Sequence, residues 1–337
     1  MNFSEPSVCA RSVLPVFRTD DLMDILLSPA ILSFVLGMLA AAVRSNLEIP
    51  EVLSKGMAIY LMTAIGLKGG VEVSTSGVTT ELVVAGLTGI CLSFLLPIPA
   101  FWAMRRLAKL DTVNAGAIAA HYGSVSVVTF VTGAAILEAS GMPVAGYMVA
   151  VLAMMEAPAI ITGIWLARRS DGSGAQSLGH QVSHAVRDGA VVLLLGSFAV
   201  GLIVGTSGFE PIQPVFKHAF AGVLCLFLLD MGLVAARHLM GTRSVTPTIA
   251  AMAVVLAVIN GTVGVVAGSV IGLDAGSAAA LGILAGSASY IAAPAAIRLA
   301  LPEADIGLPL AMALAITFPF NVLVGIPIFT TLARLLT

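Results

Sequence analysis

Charge is scarce in this chain. Only 10% of its 337 residues are Asp, Glu, Lys or Arg, against about 25% in an ordinary soluble domain. No polar block is long enough to build a sizeable soluble domain. There is no basic run to invite nucleic acid, and the formal charge of −2 says nothing about partners. Cysteine is nearly absent. Cys9, Cys91 and Cys225 are scattered, which offers neither a disulfide framework nor a metal-ligand spacing. HExxH, Walker and GxSxG patterns are missing. No cofactor is called for, and any uphill work must be driven by an ion rather than ATP. Ser126 and His121 could be imagined as nucleophile and base, but no third group is placed to orient the histidine. The expectation is therefore that the chain is not an enzyme. The opening MNFSEPSVCARSVLPVFRTDD lacks the continuous apolar run of a signal peptide, and 1–24 reads as an N-terminal tail.

What fills the chain is apolar sequence: 58% of residues are hydrophobic and the mean hydropathy is +1.04. Stretches of about 20 residues match the length a helix needs to cross some 30 Å of hydrocarbon. The punctuation predicts an all-α membrane protein with ten spans, roughly 25–43, 50–70, 80–103, 112–138, 143–167, 189–206, 214–236, 247–271, 275–300 and 306–333. The longest polar segment, 168–188, contains SDGSGAQSLGH and reads as a flexible linker. It separates five spans (25–167) from five (189–337).

Orientation follows from the basic residues. With the linker in the cytoplasm, Arg44, Lys55, Arg105, Arg106, Lys109, Arg168, Arg169, Arg187, Arg237, Arg243 and Arg298 face inward. Arg11, Arg18, Lys68, Lys217 and Arg334 face outward. Both termini are then outside the cytoplasm. Five is odd, so homologous halves would be inverted repeats. Three echoes keep their order in the two halves: Ile65-Gly66-Leu67 with Met231-Gly232-Leu233, GSVS (123–126) with GSAS (286–289), and Pro143 with Pro309.

The serine motifs are the leading site candidates. Small residues let membrane helices approach closely, and that alone could explain them. If spans four and nine instead break near mid-membrane, their amides and dipole ends can face a small anion. Gly123, Ser124, Ser126, Gly286, Ser287 and Ser289 would bind it, with the serines adding hydroxyl donors. Thr129 lies one turn after Ser126. Pro294 is expected to keep span nine irregular.

Ionisable residues at membrane depth need a reason, since each costs about 2.5–3.5 kcal/mol even on the lenient insertion scale. Glu156 precedes Pro158 by two residues, and Asn321 follows Pro319 with Thr317 nearby. The two proline segments read as partner breaks. Ser126, Thr129, Glu156 and Asn321 together form a hard-oxygen set suited to sodium. Alternatively, Glu156 is a hydrogen-bonded structural carboxyl. Asp230 is a coupling candidate, or pairs with Lys68 or another span. His121 is a second coupling candidate, or a packing residue. Lys68 is expected at an outer helix end with its amine snorkelling outward, and Arg298 as an interface anchor.

At these residues the chain resembles the bacterial sodium-dependent bicarbonate transporters first described in cyanobacteria. The matching segments are LLSPAILSFVLGMLAA, LEIPEVLSKGMAIYLMTAIGLKGG, HYGSVSVVTF, LDMGLVAAR, SASYIAAPAAIRLALPEA and TFPFNVLVGIP, in preserved order along nearly the whole length. The resemblance implies two inverted five-helix repeats divided into a gate (spans one, two, six and seven) and a core (three to five and eight to ten). It also implies a homotrimer joined through the gate, bicarbonate as substrate, sodium as coupling ion, a bacterial inner-membrane location among membrane lipid, and a PII-like regulator at the cytoplasmic face. Val127, Val128, Tyr290 and Ala292 stand where the cyanobacterial branch is richer in serine, and the linker is short. The expected function is sodium-coupled uptake of a small anion by alternating access. A passive anion channel, a carrier of another small anion such as a carboxylate, and a membrane sensor are the competing readings. The sensor is disfavoured because no signalling domain is expected.

Overall fold

The computed structural model describes residues 27–77, 79–168, 189–241, 245–290 and 292–337. The tail expected over 1–24, all but the first residue of the linker, and Cys9, Arg11, Arg18, Arg169, Arg187 and Arg243 lie outside the described residues, as does the side chain of Arg298. The described residues form helices joined by short turns, with no strand among them.

The helices are α1 (Pro29–Ala42), α2 (Glu51–Ser76), α3 (Thr80–Leu95), α4 (Pro97–Arg106), α5 (Thr112–Gly123), α6 (Val127–Ala139) and α7 (Met148–Arg168) in the first half. In the second half they are α8 (Gly189–Phe209), α9 (Phe220–Gly241), α10 (Pro247–Val270), α11 (Ala275–Ala285), α12 (Ala292–Ala300) and α13 (Gly307–Leu336). Their starts follow from capping chemistry. The side chains of Ser28, Thr79, Asp111, Ser126, Thr246 and Asp274 each accept the amide three residues on, which satisfies one of the donors a helix start leaves open.

Among the described residues, seven stretches are long and apolar enough to cross a membrane: Thr80–Arg106, Thr112–Ala139, Met148–Arg168, Leu195–Ile212, Phe220–Arg237, Pro247–Val270 and Gly307–Leu336. Ten were expected. Pro29–Ala42 and Ala275–Ala285 are apolar but short, and α2 is long but carries Glu51, Lys55, Lys68 and Glu72.

Four local expectations are corrected. α2 does not stop at 70 but runs to Ser76, where Gly77 at φ 75° ends it. Lys68 therefore sits two turns inside the helix, and its amine meets both Glu138 carboxylate oxygens at 2.5 and 2.6 Å; Glu138, not Asp230, is its partner. Span five starts at Met148 rather than Pro143, because 143–147 packs as extended chain and turn on α11: the Ala145 amide donates to Ser277 Oγ at 3.2 Å. Pro294 lies inside the first turn of α12, where a missing amide costs no intrahelical bond, so the irregular stretch ends before it. Finally, α7 stays helical through Pro158, and α13 stays helical through Pro319 by widening into π-helical turns at 312–317 and 321–325.

Helix pairs close on glycine. A Cβ on Gly37 would stand 2.0 Å from Leu229 O, and one on Gly232 2.1 Å from Phe34 O, so α1 and α9 touch backbone to backbone. α2 and α8 do the same through Gly70 and Gly201, where a Cβ would come within 1.9 Å of Phe198 O and 2.2 Å of Leu67 O. Such close approach replaces hydrophobic drive between helices in lipid. Large apolar side chains such as Leu36, Val52, Leu87, Ile203 and Val270 point outward. The most enclosed segments are α5 from Ala115 onward and α11 from Gly276 onward, buried at every residue.

Candidate functional site

The two serine motifs are where those enclosed helices stop. α5 ends at Gly123, residues 124–126 are extended, and α6 starts at Val127. α11 ends at Ala285, and α12 starts at Ala292. Serines compete for backbone hydrogen bonds and so favour such interruptions. The breaks are laced together: the Ser126 amide donates to Ser287 Oγ at 2.8 Å, and the Ser289 amide donates to the His121 carbonyl at 2.9 Å. Ser124, Ser126, Ser287 and Ser289 are each no more than 4% exposed. Gly123 and Gly286 are buried in the same crossing, and a Cβ on them would come within 2.3 Å of Pro97 Cγ and 2.8 Å of Ala257 O.

The four hydroxyls divide into two kinds. Ser124 Oγ donates to the Glu156 carbonyl at 3.2 Å, and Ser287 Oγ donates to Leu284 O at 2.7 Å. Each has its single proton engaged. Ser126 Oγ accepts the Thr129 amide, and Ser289 Oγ accepts the Ala293 amide, both at 3.2 Å. These two cap a helix start and give no proton to a main-chain carbonyl; the Ser126 O–H stands beside the Tyr290 hydroxyl. The inner serine of each motif thus holds structure by its proton, and the outer one by its cap.

Asparagines hold the carbonyl ends. Asn321 Nδ2 donates to the Gly286 carbonyl at 2.9 Å, and Asn260 Nδ2 donates to the Tyr122 carbonyl at 3.1 Å. The Oδ1 of each meets no donor among the described residues. A buried polar atom left so costs about 1–3 kcal/mol, which makes both oxygens suited to a cation or a water. Tyr122 hydroxyl bonds Thr317 Oγ1 at 2.6 Å, tying α5 to α13.

Glu156 is buried and joins the crossing through its main-chain carbonyl. A neighbour bridges one rung of its helix: Ser93 Oγ of α3 donates to the Met155 carbonyl and accepts the Ala159 amide at 3.0 Å. A hydroxyl is thus inserted in the α7 ladder just where Pro158 lacks its amide. Thr129 is buried beside Ser126. His121 is fully buried with Nδ1 on the Ala117 carbonyl at 2.7 Å, which assigns the ring proton to Nδ1. No described hydrogen bond joins its ring to Ser126. Asp230 is buried in α9, and no described hydrogen bond ties it to the crossing.

Sequence reasoning passed over Asn260, Tyr122 and Ser93. Asn260 had a signal, being a polar amide inside the apolar helix α10. Ser93 had none, since serine is common in such helices. Among the described residues no group of three His, Cys, Asp or Glu side chains could hold a metal, so any cation here would rest on amide, hydroxyl, carbonyl and single carboxylate oxygens.

A family model described as the Na+-dependent bicarbonate transporter superfamily matches residues 29–334. No curated protein matches the chain.

Proposed function

The chain belongs to the Na+-dependent bicarbonate transporter superfamily, and from that premise we propose that it is a secondary transporter which couples sodium entry to uptake of a small anion, bicarbonate first, by alternating access. The single observation that carries this reading is the pair of buried helix breaks bonded to each other at Ser126–Ser287 and His121–Ser289. Two interrupted helices crossing inside a membrane protein bring opposite dipole ends to one point.

The anion sits at the starts of α6 and α12. Val127 and Val128 open α6, where amides have no intrahelical acceptor. The Ser126 and Ser289 hydroxyls add donors, and Gly123 and Gly286 admit the guest by lacking side chains. Ser124 and Ser287 shape the loop. Sodium sits toward the carbonyl ends of α5 and α11, held by oxygens from Ser126, Thr129, Glu156 and Asn321. Its charge offsets that of the anion, so each binds better with the other present. Asp230 and His121 are the remaining coupling candidates. Polar side chains gather at this crossing rather than along a continuous pore, which supports a carrier over a channel.

Alternating access needs two bodies. The reciprocal glycine contacts of α1 with α9 and of α2 with α8 support a gate of these four helices moving against a core of the others. They also support an inverted pairing of 25–167 with 189–337, since each contact couples one helix from each half. The homotrimer, the inner-membrane location with both termini outside, and a PII-like regulator at the cytoplasmic face follow from resemblance and basic-residue placement.

Purified protein in proteoliposomes tests the reading. Bicarbonate uptake should rise with an inward sodium gradient and fall when the gradient is collapsed. Uptake indifferent to sodium removes the coupling, and sodium-driven uptake of a carboxylate but not of bicarbonate changes the substrate.

A further inference from the structure

A cavity of about 410 Å³ lies between α2, α6, the start of α7 and the residues leading into α9. One wall is a single stripe of α6: Phe130, Ala134 and Glu138, spaced four apart, so they share a helix face. Phe130 lies one turn beyond the Ser126 cap. The stripe therefore runs from the helix break to the Lys68–Glu138 ion pair, whose side chains are 45% and 55% exposed. Lys217 and His218 line the cavity as well, and Glu72 lies one turn after Lys68. The cavity is mostly apolar, carries charge of both signs, and approaches the crossing from one end.

We propose that this cavity is the outer vestibule of the anion's route and that Lys68 is its anion-capture side chain, held by Glu138 until a passing oxyanion displaces the carboxylate. A half-exposed pair is weak enough to exchange with solute anions. The two partners stand on different helix groups, α2 and α6. When Lys68 leaves Glu138 to meet an anion, one of the ties between the groups opens. Lys68 differs from the serines in reach: it meets the anion in water, by charge, before the backbone amides bind it. The identity of the traffic rests on the transport reading above; the vestibule itself does not.

The test uses the full chain with Cys9, Cys91 and Cys225 replaced by serine and Ala134→Cys, a half-buried position on the α6 wall. Membrane-impermeant methanethiosulfonates of opposite charge are applied from each side. Ala134→Cys should be labelled from outside. The ratio of anionic to cationic labelling rates should rise about two- to fivefold with Glu138→Gln and fall by a similar factor with Lys68→Gln, while Lys68→Arg keeps it. In uptake, Glu138→Gln should lower the KM for bicarbonate and Lys68→Gln raise it, with sodium dependence unchanged. Labelling only from the cytoplasmic side, no labelling, or a ratio that Lys68→Gln leaves unmoved overturns the proposal. Correct labelling ratios in a protein that moves no bicarbonate support the vestibule while removing the transport reading, so the two failures are separable.

Discussion

At the residue scale, hydrogen-bond bookkeeping separates serines that the sequence presents as equivalents. GSVS and GSAS look like two copies of one anion-binding phrase. Only the partners show that Ser124 and Ser287 give their protons to carbonyls, while Ser126 and Ser289 cap helices and give theirs to no main-chain carbonyl. The expected outcome follows. Ser126→Ala should raise the KM for bicarbonate about tenfold, the loss of one hydrogen bond to a charged group. It should also cost about 1 kcal/mol of stability through the lost cap. Ser124→Ala should leave KM within about twofold, because its hydroxyl serves the Glu156 carbonyl instead. Uptake kinetics and thermal melts in detergent measure both, and equal effects on KM in the two variants would contradict the division.

At the element scale, glycine placement and proline placement behave differently from each other. The glycine-serine runs did interrupt their helices, because serine offers the backbone local alternatives and Ser126 and Ser289 then restart the helix as caps. The prolines did not interrupt theirs. α7 keeps its course through Pro158, where Ser93 bridges the Met155 carbonyl and the Ala159 amide, and α13 absorbs Pro319 by π-helical widening. Neither rescue is visible in the sequence of the helix rescued, since one uses a side chain from α3 and the other a shift of bond register. The helix pairs make their own prediction. Gly232→Ala would push a Cβ against the Phe34 carbonyl, and overpacking of this kind costs about 1–3 kcal/mol. Gly56→Ala, with open space around it, should leave the melting temperature unchanged or slightly raised. A melt in which both variants match the parent would show that α1 and α9 can separate freely.

At the scale of the whole molecule, the proposed transport has α1, α2, α8 and α9 move as one body against the rest. Phe34 of α1 and Phe318 of α13 meet edge to face at 5.5 Å between ring centroids, across that division. Phe34→Cys with Phe318→Cys, in a chain without its native cysteines and bridged by a short bifunctional thiol reagent, should arrest uptake. Reversing the bridge should restore it. Uptake that continues through the bridge would mean the two groups do not need to part. Local composition alone calls for helices with several membrane-length apolar stretches, as the described residues bear out, and marks the two glycine-serine runs as places where long helices either break or pack closely. Those are consequences of local composition: apolar length, and glycine-serine runs that weaken a helix or let it pack closely. Packing in three dimensions is what brings the two stops together, sorts the hydroxyls, and leaves the Oδ1 of Asn260 and Asn321 buried without a donor among the described residues. The meeting of the stops and the asparagine contacts depend on partners more than thirty positions away along the chain, and no local pattern carries that distance.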